Sequence, residues 1–267
     1  MGTRNPLRWI HGSVLLTLAL ATLAGCAARG KPGLAKVSAE DERQAVAHYN
    51  LGVHHLSQGN SALAIRELQA AVARNPNDPS IHLALAAGYR GKAKLAECEQ
   101  HLKRALELEP TFHNARLNLS GLYVQTGRHE EAIAEAAKLV DDPTFPTPWR
   151  ALTNLGYAKF KLGRVSEARS HLELALEYRP YDTTALLNLA QLESDAGQKL
   201  RAIELYKKVL SHKPSPLIEA EANFRLAEVY VSLGRRNDAL AHLSDAVAAR
   251  PGSLWAKRSE EYRKLLQ

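Results

Sequence analysis

Cysteine is almost missing from this 267-residue chain: Cys26 and Cys98 are the only two. No disulfide framework can staple the fold, so it must rest on packing. Long apolar runs are as scarce. Ser13 to Leu23 (SVLLTLALATL) is the only one, and it is short for a membrane span, which needs roughly 20 residues. The chain after it is expected to be soluble. A Walker loop, a Ser/His/Asp or Cys/His arrangement and paired catalytic carboxylates are also missing, so no enzyme, no cofactor and no small-molecule substrate are expected. The net charge is +7, with the basic residues scattered. No nucleic-acid-binding signature accompanies them, and no nucleic-acid partner is expected.

What is present begins with the leader. Arg4 and Arg8 supply a positive n-region ahead of the apolar run, and small residues follow it, the order of a secretory signal. Leu23-Ala24-Gly25-Cys26 resembles the lipobox of bacterial lipoproteins at all four positions. That resemblance implies cleavage after residue 25 and acylation of Cys26. Two or three acyl chains, at about 0.8 kcal/mol per buried CH₂, would make anchoring in the lipid bilayer effectively permanent. The chain left after cleavage carries +5, because Arg4 and Arg8 are gone. Cys98 then has no partner thiol. Residue 27 is Ala rather than Asp, which in a Gram-negative lipoprotein implies outer-membrane sorting, facing the periplasm. Residues 26–37 contain Gly30, Pro32 and Gly33 and no periodic apolar pattern. They read as a flexible tether with a typical span of about 20 Å. Ser38, with Asp41 three residues on, marks the first helix start.

The prolines carry the architecture. Pro76 and Pro110 are 34 residues apart, as are Pro180 and Pro214. A 34-residue period is that of the tetratricopeptide repeat, a helix–turn–helix unit. Six repeats start at or near Ala45, Pro79, His113, Trp149, Thr183 and Ala220. Leu51-Gly52, Leu85-Ala86, Leu119-Ser120, Leu155-Gly156, Leu189-Ala190 and Leu226-Ala227 recur at equivalent places, followed by Ala64, Cys98, Ala132, Ala168, Ala202 and Ala239. Small residues let helices approach and large ones fill between them. Gly59, Gly127, Gly163, Gly197 and Gly234 stand where the first helix of a pair must stop. The expected fold is an all-α tetratricopeptide superhelix over residues 38–252. A C-terminal capping helix follows over residues 253–267, with Ser253 as N-cap and Leu254, Trp255, Tyr262, Leu265 and Leu266 covering repeat six.

In such a stack the first helix of each pair lines the concave face, at repeat positions 2, 5, 9 and 12. The apolar and aromatic groove residues read this way are Val46, Tyr49, Val53 and Leu56 in repeat one and Leu83 in repeat two. Leu117 and Val124 follow in repeat three, and Tyr157 and Phe160 in repeat four. Repeat one is almost wholly apolar there. Converging Lys, Asn and Arg would signal a chaperone-type carboxylate clamp; here the groove suits an apolar or amphipathic segment of another protein. The tether or the first helix folding back is the alternative occupant.

The histidines do not form a metal site. His54 and His55 are adjacent, so on a helix they point about 100° apart and cannot chelate one ion. His48 and His82 hold a packing position, and Cys98 stands where the repeat wants alanine, as a buried small thiol.

A lipobox ahead of six repeats in a chain of this length resembles the type IV pilus biogenesis lipoproteins of the PilF/PilW/Tgl type, the pilotins. Asp141-Asp142-Pro143-Thr144-Phe145-Pro146, which breaks repeat three, and the ending Pro251-Gly252-Ser253-Leu254 are similar to that family. The resemblance implies a partner, a secretin subunit of the pilus machine, whose localisation and multimerisation in the outer membrane the protein promotes. A lipoprotein adaptor for cell-wall enzymes is the alternative.

Overall fold

The computed structural model describes residues 36–266 as thirteen α-helices, with no strand among the described residues. The leader, Cys26 and all of the tether except Lys36 and Val37 lie outside them. Twelve helices form six antiparallel pairs: α1 (Ala39–Ser57) with α2 (Ser61–Arg74), α3 (Pro79–Gly91) with α4 (Leu95–Leu108), and α5 (His113–Gln125) with α6 (His129–Val140). They continue as α7 (Pro148–Lys161) with α8 (Val165–Tyr178), α9 (Thr183–Asp195) with α10 (Lys199–Ser211), and α11 (Pro216–Ser232) with α12 (Arg236–Ala249). Helix α13 (Leu254–Leu266) closes the stack against α11 and α12. The expected all-α superhelix is what forms.

Each pair is punctuated by the same local chemistry. The five turn glycines sit at φ between 71° and 80°, a left-handed conformation that a Cβ disfavours. Repeat two lacks the glycine, and Ala93 takes its place at φ 56°. At the far end of the second helix, Asn75, Glu109, Arg179 and Arg250 each leave the helical region, with ψ near 90°. Each precedes a proline, whose ring clashes with a helical residue before it. Ser38 accepts from the Asp41 N–H and Ser253 from the Ala256 N–H, so both expected caps are made.

The small residues are buried where helices cross. Ala64, Ala105, Ala132, Ala168, Ala202 and Ala239 are wholly covered. A Cβ on Gly52 would lie 2.5 Å from Leu68 Cγ, and one on Gly156 2.7 Å from Leu172 Cγ. The neighbouring leucines fill the space that glycine leaves. Leu51 departs from its counterparts in later repeats: it is 51% exposed, because no described helix stacks before α1.

Two expectations need correction. In α13, Trp255, Ala256, Tyr262 and Leu266 pack on repeat six, whereas Leu254 and Leu265 are 59% and 82% exposed. Leu254 and Leu265 share a face about 100° round the helix from the covering one. The broken junction after α6 also changes what the groove holds. Phe145 folds inward, 5% exposed, and packs with Leu117, Leu139 and Ala151. Leu117 is therefore mostly core, 4% exposed, and offers a partner only the edge that borders a groove cavity.

Candidate functional site

The odd-numbered helices share one side of the stack. Successive ones approach closely along it, except α3 and α5, whose backbones stand further apart. The gap between them is a cavity of about 180 Å³. Its walls come from Ser80, Leu83, Ala87 and Arg90 of α3, the four groove positions of repeat two, with Tyr49 of α1 and Asn118 of α5. Cys98 and Leu102 of α4 form the floor. Alanines at 84, 86 and 87 leave the room that larger side chains would fill. Burial pushes the Cys98 thiol above its ordinary pKa, so it stays protonated and behaves as a small apolar group.

A second cavity of about 140 Å³ continues along the same side, between Arg90, Asn118, Gly121, Arg150 and Asn154, with Leu117 at its wall. Arg90 borders both cavities. Arg150 likewise joins the second to a third, lined by Thr153, Asn154, Asp182 and Thr184. The groove thus begins apolar on α3 and turns polar and cationic across α5 and α7.

Of the apolar and aromatic groove residues read from the sequence, Tyr49 and Leu83 meet in the apolar cavity and Leu117 borders the second. Val46 and Val53 are 47% and 39% exposed on α1. Leu56 packs with the core beneath α1, Val124 with that beneath α5, and Phe160 against Ala168 and Leu172. Tyr157 is half-buried, with His129 edge-on to its ring and Lys161 over it. The cavity is centred one repeat later than the apolar content of repeat one suggests. Arg150 stands at a concave position, repeat position 2, but gives no hydrophobic signal; Asn118 and Asn154 stand at position 6, outside the positions read as concave.

The flanks are tied by hydrogen bonds. His82 Nε2 lies 3.1 Å from the Pro76 carbonyl and donates to it, which leaves Nδ1 to accept from His101 Nδ1 at 2.9 Å. Burial holds both imidazoles below their ordinary pKa, and Tyr89 stacks on His101. Behind α5, Glu99 receives Lys103, Arg128 and the Tyr123 hydroxyl. Burial alone would raise its pKa, but these hydrogen bonds hold it down to about 2. Among the described residues no group of three His, Cys, Asp or Glu side chains is placed to hold a metal. No helix among them is long and apolar enough to cross a membrane.

Two family models, both described as tetratricopeptide repeat, match the chain, one over residues 90–155 and 194–259 and the other over 33–79 and 153–217. A curated relative, the type IV pilus assembly protein PilF of Pseudomonas aeruginosa, is 24% identical over 182 residues, covering 67% of this chain and 71% of that protein. The solved structure of Pseudomonas aeruginosa PilF superposes with a TM-score of 0.68 at 19% identity, over 85% of this chain and 99% of that one. That of PilW, described as a widely conserved type IV pilus biogenesis factor, gives 0.71 at 22% identity, over 80% and 97%.

Proposed function

We infer that this chain, which belongs to the tetratricopeptide repeat family, is a pilotin. In this reading it is an outer-membrane lipoprotein that faces the periplasm, binds secretin subunits and promotes their localisation and multimerisation for type IV pilus assembly. The observation that carries the reading is the extent of the likeness to PilF and PilW. Sequence likeness to PilF runs through 67% of this chain and 71% of that protein, and the solved PilF and PilW chains share the fold over nearly their whole length. The lipobox at Leu23 to Cys26 supplies the second half: acyl chains on Cys26 fix location, and the stack supplies grip. The concave groove is the gripping surface, because an apolar cavity beside unpaired polar groups suits a protein segment.

Deleting the gene tests this. Heat- and detergent-resistant secretin multimers and surface pili are expected to fall sharply and to return with the wild-type allele. Normal levels of both in the deletion strain would rule out the pilotin reading. Recovery of a murein synthase or hydrolase, in place of a secretin, from envelope extracts would favour the cell-wall adaptor.

A further inference from the structure

The arginines of the stack are mostly committed. Arg116 pairs with Glu135, Arg128 with Glu99 and Glu131, Arg169 with Glu193, and Arg201 with Glu173. Arg90 and Arg150 are different. Both are exposed in the groove, both border the second cavity, and neither makes an ion pair or a side-chain hydrogen bond within the described residues. No Asp or Glu lines either that cavity or the apolar one; Asp182 shares the third cavity with Arg150 but caps α9 through the Ala185 N–H and makes no ion pair with it. Two cations facing one small cleft without a carboxylate repel each other, and an anionic group between them would relieve that.

The two asparagines complete the pattern. Asn118 spends its Nδ2 on the Asn114 carbonyl at 2.7 Å, and Asn154 directs its Nδ2 towards Ser120 Oγ at 3.4 Å. Each side-chain carbonyl is left to accept. A peptide backbone laid along the groove needs acceptors for its N–H groups once water is displaced. The apolar cavity alongside is large enough for one bulky side chain, since a cavity of roughly 150 Å³ admits benzene. The groove runs on past Arg150 into the third cavity, so a segment can pass through rather than end there.

We propose that the concave face of repeats two to four binds an extended internal segment of a partner protein, seating a large apolar side chain between α3 and α5 and an adjacent Asp or Glu side chain between Arg90 and Arg150. The proposal rests on the reading of this face as the partner site and adds the chemistry of what it accepts.

The test is selection of a phage-displayed random peptide library on the immobilised full-length chain, then affinity measurement with the enriched peptides in fluorescent form. The enriched peptides are expected to place Asp or Glu close to Leu, Ile, Met or Phe. Arg90→Glu and Arg150→Glu are each expected to weaken binding about tenfold, as loss of one charged hydrogen bond would. Ala87→Trp, which fills the apolar cavity from an exposed position, is expected to do the same, with unchanged circular dichroism in all three. Amidating the peptide C-terminus is expected to change nothing. Failure to enrich any peptide, enrichment of peptides without acidic residues, or affinity indifferent to both arginine reversals would overturn the proposal. Loss of binding on amidation would overturn its choice of an internal segment. Peptides that obey the rule, where the secretin encoded beside this protein has no segment that does, would remove the secretin reading and leave this one standing.

Discussion

His113 Nε2 lies 2.8 Å from Asp142 Oδ2, so the first residue of α5 is tied to the irregular junction that follows α6. Asp142 also accepts from the Thr144 hydroxyl and the Thr144 N–H, at 2.7 and 2.9 Å. This ring of bonds turns the chain so that Phe145 enters the core, edge-on to His113. An interruption of the 34-residue period thus becomes a packing device, and it draws most of Leu117 into the core.

Phe145→Ala should cost about 3 kcal/mol of stability, the usual range for emptying a phenylalanine site. Urea unfolding of the full chain checks this. The loss should exceed that of Leu254→Ala, whose side chain is largely in water.

Acid should unfold the stack in two stages. His82, His101 and His242 are all held below their ordinary pKa by burial. They are harder to protonate in the folded chain than in the unfolded one, so their contribution is whole above about pH 6.5 and fades as the pH falls below it. Asp142 is held down to about 2 by Thr144 and His113, and Glu99 to about 2 by its three donors. Their contribution is whole above about pH 4 and is lost towards pH 2. Melting temperature against pH should show both declines, and Asp142→Asn should blunt the lower one.

Glu193 is fully buried and accepts from Arg169 at 2.8 and 3.0 Å, at the 24-residue separation where Tyr123 donates to Glu99. The same slot between repeats is filled with opposite polarity. Glu193→Ala should destabilise by about 1.5–3 kcal/mol, the loss of charged hydrogen bonds to the part-exposed Arg169. Tyr123→Phe should cost only about 1 kcal/mol. Chemical denaturation of the two variants gives the comparison.

Ala93 is held at φ 56°, where its counterparts in the other five repeats are glycine. Ala93→Gly should be neutral to stabilising, by up to about 1 kcal/mol, and Gly163→Ala destabilising by a similar amount. Both are exposed positions, so thermal melts report the backbone alone.

The repeat period, the turn glycines and the proline stops were legible in the sequence because each acts locally on φ or ψ. Even Cys98 could be read as a small buried group from its register. The site was less legible. Registers place Leu83 and Leu117 at the same repeat position, yet Leu83 lines the apolar cavity and Leu117, packed under Phe145, only edges the polar one. That difference arises from a contact across the broken junction, which no periodic pattern encodes. The opening between α3 and α5 is equally a product of how two helices stack. Arg90 and Arg150 become a pair only when α3, α5 and α7 are brought side by side.

The most direct measurement of the central claim is photo-cross-linking in living cells, with a photoreactive residue at Ala87 beside the apolar cavity or at Gln100 on exposed α4. A cross-link to the secretin from position 87, missing at position 100 and lost when Arg150→Glu is added, is the result predicted. Cross-linking to secretin from position 100 but not from 87, or to no secretin from either, would contradict the account.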